Sequence, residues 1–317
     1  MTTPTVTPVV EYSVVVPVFQ GQDTLRLLVD ELQKFFVGAG YTYELIFVHD
    51  GGQAAAWNRI VQLRQELGPG TVKAIRLSRN FGQHNALLCG FSYASGRFII
   101  TLDEDLQHAP ADISLLIQRQ AEGDFDVVYG CYSEPQHAGW RNVTSGLLRR
   151  MLRLGIPDLH PDYSAFRLLK TTVARHCLGM QNSYTFLDGY LTWVTSSISS
   201  VPVTHHPRVI GSSSYTVGRL VRHSVNIFIT FSDVPVRLLT YTSLVLFSCT
   251  TGYSLYILLR KLIYNDLLPG FASLIIAIGF GTGLLLLGMG ILGEYIHRIN
   301  QKITKRPDFV VRETYTD

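Results

Sequence analysis

Cysteine is scarce in this sequence: Cys89, Cys131, Cys177 and Cys249 are spread through 317 residues, with no Cys-x-x-Cys pair and no Cys/His metal spacing. That argues against a disulfide framework and a zinc site. The thiols read as buried and reduced, which fits a cytoplasmic catalytic portion. Charge is scarce too, at 16% of residues, and the formal net charge of +3 is scattered. Nucleic acid is therefore not an expected partner. Residues 1–10, rich in Thr and Pro, lack a basic start followed by an apolar core, so they read as a short loose arm rather than a secretory leader. There is no internal repeat and no low-complexity linker.

What the chain has in excess is apolar residues, 47% of the total, concentrated toward the C-terminus. Residues 238–259 and 271–293 each contain no charge. At ~1.5 Å rise per residue, each stretch as a helix could cross a hydrocarbon core of about 30 Å. The link 260–270 is short, so the pair is expected to form a hairpin with both outer ends on one side. Those flanks hold Arg219, Arg222, Arg237, Arg298, Lys302, Lys305 and Arg306, against only Arg260 and Lys261 in the link. The positive-inside bias then puts the catalytic part and the tail in the cytoplasm, on an integral membrane protein. Just before the hairpin, Arg219, Arg222, His223 and Asn226 share one helical face, opposite Val221, Val225 and Phe228. This suits an amphipathic helix lying in the bilayer interface. A second basic helix over 143–154 is open between an ordinary domain helix and a membrane-surface one. Glycines 279, 281, 283, 288, 290 and 293 permit close helix packing, either between copies in a homo-oligomer or within one hairpin.

From residue 11 to about 129, short apolar β-rich runs (13–18, 44–49, 72–77, 98–102, 126–129) alternate with helical periodicity (24–36, 54–66, 85–95). Fully apolar strands separated by helices predict an α/β fold with a mostly parallel sheet covered on both faces. Ligands bind such sheets beyond the carboxyl ends of the strands. Two of those ends carry acids. Thr101-Leu-Asp103-Glu-Asp105-Leu-Gln107 sets two carboxylates one residue apart, able to converge on a hard divalent ion that holds a diphosphate. Phe47-Val-His-Asp50-Gly-Gly52 offers a carboxylate to a nucleobase imide or ribose hydroxyl, with glycines that let backbone approach a ligand. Taken singly, Asp-x-Asp and Asp-Gly are as well explained by exposed turns.

These segments come in order with Val14-Val-Val-Pro17-Val-Phe19, Leu77-Ser-Arg79-Asn-Phe-Gly82-Gln-His, Asp162-Tyr-Ser164-Ala-Phe-Arg167-Leu, Val201-Pro-Val-Thr-His-His206-Pro-Arg208 and Gly211-Ser-Ser213-Ser-Tyr215. Phe231-Ser-Asp-Val-Pro235-Val-Arg237 and Gly290-Ile-Leu-Gly-Glu294-Tyr295 follow. Together they resemble the GT-A family 2 glycosyltransferases, in the branch of dolichyl- and undecaprenyl-phosphate sugar transferases with C-terminal membrane hairpins. The resemblance covers residues 11 to about 307.

It implies a Rossmann-like GT-A domain over 11–217, an interfacial amphipathic segment over 218–237, a transmembrane hairpin over 238–295 and a cytoplasmic basic tail over 296–317. It implies a nucleotide-sugar donor, preferably a UDP-sugar, a polyprenyl phosphate acceptor, and Mg²⁺ or Mn²⁺. Pro17, Phe19, Asp50, Arg79, Asp103 and Glu104 would line the nucleotide site. Asp103, Asp105 and Gln107 would hold the metal, and Arg167, Arg208 and Ser213 the acceptor phosphate, where a guanidinium fork grips oxygens in pairs. Asp162 joins Asp103 and Asp105 in the catalytic set, to position sugar or acceptor; an ion pair between Arg167 and Asp162 is the alternative use of that arginine. An ionised lipid phosphate needs no strong base, so inverting in-line displacement would rest on nucleotide departure and alignment.

The chain departs from the resembled pattern at His49, Gly52 and Ser214. Gln20-Gly21 stands where Asn-Glu is commoner, and Glu104 where a small residue is usual. His84, His108, His205 and His206 read as local hydrogen-bonding residues. Two other functions stay open: glycosidic bond formation on a glycan, and a non-catalytic membrane scaffold.

Overall fold

The computed structural model describes residues 10–132, 156–180, 184–204, 225–232, scattered positions between 234 and 263, 270–303 and 307–316. Chain order is β1 (Tyr12–Val18), α1 (Leu25–Ala39), β2 (Tyr43–His49), α2 (Ala54–Leu67), β3 (Val72–Leu77), α3 (Gln83–Tyr93) and β4 (Phe98–Thr101). A 3₁₀ turn (Pro110–Asp112) leads to α4 (Ile113–Gly123), β5 (Val127–Tyr132), β6 (Arg167–Lys170), α5 (Thr171–Cys177), α6 (Leu187–Val194) and β7 (Ile198–Val203). The last elements are α7 (Phe271–Ile303) and β8 (Val311–Tyr315). The strands form one sheet in the order β7-β5-β6-β4-β1-β2-β3-β8. β4, β1, β2 and β3 run parallel, while β6 and β8 are antiparallel to their neighbours. The expected strands and helices of residues 11–129 are all present, with ends shifted by a few residues.

The period-2 geometry of β1 explains why the sheet is covered on both sides. Val14, Val16 and Val18 face one core with Leu28, Leu32, Phe36, Ile60 and Leu116. Val15 faces the other, with Ile46, Val48, Ile75, Leu88, Phe91 and Tyr190. A side chain of this kind contributes about 1.5–3 kcal/mol when fully buried. An uninterrupted valine run is therefore what a two-faced strand requires.

A buried polar network closes the end of the sheet remote from the acidic loops. Glu44 accepts from Ser13 Oγ at 2.5 Å and from the Ser95 N–H at 2.7 Å, and pairs with Lys73 Nζ at 2.7 Å. Burial raises the Glu44 carboxyl, but the bonds from Lys73, Ser13 and Ser95 outweigh it and hold it below its ordinary 4.5. A depressed carboxylate stabilises the fold above its unfolded value and loses that contribution as pH falls through the folded one. Glu44→Gln is therefore expected to flatten the acid limb of stability. Thermal denaturation from neutral pH to about pH 3 checks it, and an unchanged limb would count against the network.

One C-terminal expectation is corrected by the structure, and another finds no support among the described residues. Residues 311–315 belong to the expected basic tail but form β8, which pairs antiparallel with β3 and covers an otherwise open sheet edge. Tyr315 stacks on Trp57 at 6.0 Å between ring centroids, and Glu313 lies 3.7 Å from Arg76. The transmembrane hairpin is not supported: among the described residues, no helix is long and apolar enough to cross a membrane. Residues 238–259 are described only in part, and α7 has 33 residues of helical backbone.

Helical residues 225–231 continue the expected interfacial segment, whose start lies outside the described residues. Ile227 is buried beside Ile156, Leu159 and Phe186, while Val225, expected on the apolar face, is exposed. Domain packing thus claims a different face from the one periodicity selects. Tyr295 Oη of α7 donates to the Ser232 carbonyl at 3.1 Å, tying α7 to the end of this helix. The 1–9 arm and the basic helix of 143–154 lie outside the described residues.

Candidate functional site at the carboxyl ends of β1 to β4

The loops that follow β1, β2, β3 and β4 emerge at one edge of the parallel sheet, and they are bonded to one another. Asp50 follows β2 and is 5% exposed. Its carboxylate accepts the Phe81 N–H at 2.7 Å and the Gly82 N–H at 2.8 Å, both from the loop after β3. Burial pushes its carboxyl above the ordinary value, against the pull of those two N–H groups. Gln83 begins α3 and donates from Nε2 to Asp103 Oδ1 at 2.5 Å. Asp50, the 81–83 segment and Asp103 thus form one hydrogen-bonded path across three strand ends.

Asp103, Asp105 and Gln107 are half-buried in the loop after β4. Leu106 lies between the last two at φ 60°, a left-handed conformation that a branched side chain rarely adopts. The reversal returns the Gln107 N–H to Asp105 Oδ1 at 3.2 Å. Backbone strain of this type gathers at functional sites. The available donors are carboxylate and amide oxygens, the set a hard divalent cation takes. Among the described residues, no group of three or more His, Cys, Asp or Glu is arranged to hold a metal ion. Two carboxylates alone would leave coordination positions for an oxygen-rich ligand such as a diphosphate.

Pro17 and Phe19 sit at the end of β1, with Phe19 40% exposed. The loop carrying Phe19 passes so close to Gly52 that a Cβ there would lie 1.7 Å from the Phe19 carbonyl oxygen. Glycine at that departure from the pattern is thus a steric requirement of this loop packing. Arg79 is exposed, its guanidinium 4.7 Å over the Phe81 ring. Glu104 turns away from its acidic neighbours and accepts N–H groups of Phe19, Gln20 and Gly21. Burial raises its carboxyl, opposed by those three bonds.

Of the expected acceptor-phosphate residues, Arg167 is the one that the structure describes. Arg208 and Ser213 lie outside the described residues, as do His205 and His206. Arg167 is 1% exposed and pairs at 2.6 Å with Asp188 on α6, not with Asp162 and not with an open surface. Tyr129 Oη donates to the same Asp188 oxygen at 2.9 Å, and the Arg167 guanidinium lies 5.7 Å from the Tyr129 ring centroid. Burial pushes the Asp188 carboxyl up, with Arg167 and Tyr129 pulling it down. Asp162 is exposed and accepts from Ser200 Oγ at 3.0 Å, on the β7 side of the sheet. His84 packs edge-on to Phe186, and His108 lies against Phe166, in keeping with local structural roles.

Sequence reasoning missed Gln83, Tyr129 and Asp188. Gln83 lies inside one of the recognised segments and could have been found there; Asp188 sits in an irregular stretch that gives no signal.

Residues 13–175 match the family description "Glycosyl transferase family 2". Among curated proteins, an undecaprenyl-phosphate 4-deoxy-4-formamido-L-arabinose transferase of Klebsiella pneumoniae (strain 342) is 28% identical over 308 residues, 96% of this chain and 94% of that protein. An SfII prophage-derived bactoprenol glucosyl transferase of Shigella flexneri is 28% identical over 305 residues, 96% of this chain and 98% of the relative. Among solved structures, glucosyl-3-phosphoglycerate synthase from Mycobacterium tuberculosis, in complex with Mn²⁺, uridine-diphosphate-glucose and phosphoglyceric acid, superposes with a TM-score of 0.52. It is 17% identical, and the match covers 70% of this chain and 78% of that one. That likeness shows the expected GT-A, Rossmann-like fold, its sheet mixed where a mostly parallel one was expected.

Proposed function

The chain belongs to glycosyl transferase family 2, and on that premise we propose that it transfers a sugar from a UDP-sugar to the phosphate of a polyprenyl phosphate, with inversion. The observation that carries this reading is the bonded path from Asp50 through residues 81–83 to Asp103, which ties together in one frame the two acids assigned here to the nucleoside and the diphosphate. The full-length relatives named for undecaprenyl phosphate and bactoprenol support the lipid acceptor. The solved neighbour with UDP-glucose supports the donor class and Mn²⁺, Mg²⁺ being the other candidate.

In this reading Asp50, Pro17 and Phe19 orient the nucleoside, with Arg79 at the rim. Asp103, Asp105 and Gln107 hold the divalent cation. When bound, that cation supplies positive charge for the departing nucleotide diphosphate. The attacking phosphate oxygen is ionised near neutral pH, so no side chain has to remove a proton. Asp162 is assigned to positioning, and Arg208 and Ser213 to the acceptor phosphate. Arg167 is withdrawn from that set, because its guanidinium is committed to Asp188.

Attachment to the membrane is part of the proposal. Leu274, Ile278, Phe280, Leu285, Leu286 and Met289 of α7 are all more than half exposed among the described residues, an apolar surface that suits lipid. Its 33 residues would extend roughly 50 Å as a helix, beyond a hydrocarbon core of about 30 Å. The spans 238–259 and 271–293, with the flanking Arg and Lys on the cytoplasmic side, remain the proposed arrangement.

The test is a panel of radiolabelled sugar nucleotides with polyprenyl phosphate. Label entering the organic phase is expected. Label only in a glycan would favour a glycan acceptor, and no transfer from any donor would favour a scaffold.

A further inference from the structure

The loop after β1 presents three successive N–H groups, those of Phe19, Gln20 and Gly21, toward a single point. Such a concave set of amides is an anion-binding nest. Here it is filled from within the chain. Glu104 Oε2 accepts from Phe19 at 3.1 Å and from Gly21 at 3.0 Å, and Oε1 accepts from Gln20 at 3.1 Å. A Cβ on Gly21 would stand 2.5 Å from Glu104 Oε2 and 2.7 Å from its Cδ, so the carboxylate and a side chain at 21 exclude each other. The same loop is pressed against Gly52, two residues after Asp50. The backbone of Phe19 is held from two directions.

We propose that Glu104 is a positioning residue that clamps the nucleoside-facing loop of Phe19 to the metal-facing loop of Asp103 and Asp105, fixing the span between base and diphosphate. The inference rests on the donor site proposed above and adds a specificity determinant to it. Glu104 is joined by single peptide bonds to both proposed metal carboxylates, so any slack at the nest changes the separation of the two half-sites. Gln20-Gly21 and Glu104 are also the places where the chain departs from the resembled pattern on both sides of this contact. A carboxylate is missing from the loop and present opposite it, and the two departures compensate sterically.

Two readouts test this on the full chain in detergent. Backbone amide exchange over residues 19–21 is expected to be slow in the native protein and fast in Glu104→Ala; equal rates would overturn the clamp. Equilibrium binding of the accepted sugar nucleotide is expected to weaken about tenfold or more in Glu104→Ala, as outer-shell losses do at metal sites. Lipid KM should hold steady. Acetate or formate, refilling the vacant nest, should restore part of the binding. Glu104→Gln, which turns an N–H₂ toward N–H donors, should not. Gly21→Ala should impair the native chain and cost clearly less in Glu104→Ala, where the Thr24 Oγ1 contact at 2.9 Å is what remains. Fast exchange with unchanged donor affinity, or additive losses in the double variant, would overturn the positioning role. A native chain that binds no sugar nucleotide at all would overturn the donor site and this role with it, whereas retained donor binding without lipid transfer would sink only the acceptor assignment.

Discussion

Replacing Asp105 with alanine is expected to abolish sugar transfer while the protein stays folded in detergent. Asp105 is half-buried in a loop outside the hydrophobic core and accepts the Gln107 N–H two residues on. Its loss should therefore cost little stability, in the range of about ±0.5 kcal/mol seen away from cores. The catalytic loss should be far larger. Charge stabilisation by a bound cation is worth several kcal/mol in the transition state, and each ~1.4 kcal/mol is tenfold in rate. A drop of about a thousandfold or more follows. Excess chelator should reproduce it in the native protein. Full activity in the variant, or in chelator, would remove the metal role from Asp103, Asp105 and Gln107 together.

The second large effect is on stability. Asp188→Ala should destabilise the domain by about 3–5 kcal/mol, because it strands the Arg167 guanidinium in the core without its counter-charge. For a domain of this size that is a fall of roughly 6–20 °C in Tm. Removing both partners, as in Arg167→Met with Asp188→Leu, should cost much less, since apolar pairs of similar volume often replace buried ion pairs at little expense. Differential scanning fluorimetry of the two variants checks the difference. If Arg167→Met instead left Tm unchanged and raised only the lipid KM, Arg167 would return to the acceptor site.

These two residues show where sequence reading succeeds and where it stops. β1 to β4 were legible because each is a continuous apolar run, which only a strand covered on both faces tolerates. Asp50, Asp103 and Asp105 were legible because an acid directly after such a strand falls at the ligand-binding edge. The Asp188 partner of Arg167 was not legible for a physical reason: a guanidinium fork suits a phosphate and a carboxylate equally well, and Asp188 lies 21 residues downstream. Glu104 entered the nucleotide site through the resemblance alone. Its bonds reach 83 to 85 residues back in the chain, and only the fold reveals that direction. β8 was missed because a five-residue strand after a basic stretch carries no periodicity of its own. Its partner β3 supplies the reason for it to form.

The proposed nucleophile is a lipid phosphate oxygen, and that separates this chain's chemistry from hydroxyl glycosylation. Its most direct test compares organic-phase label after incubation of the native enzyme with a polyprenyl phosphate or with the matching polyprenol, using one accepted sugar nucleotide. Label with the phosphate and none with the alcohol is the expected result. Equal labelling of both lipids, or none of either while a glycan becomes labelled, would contradict it.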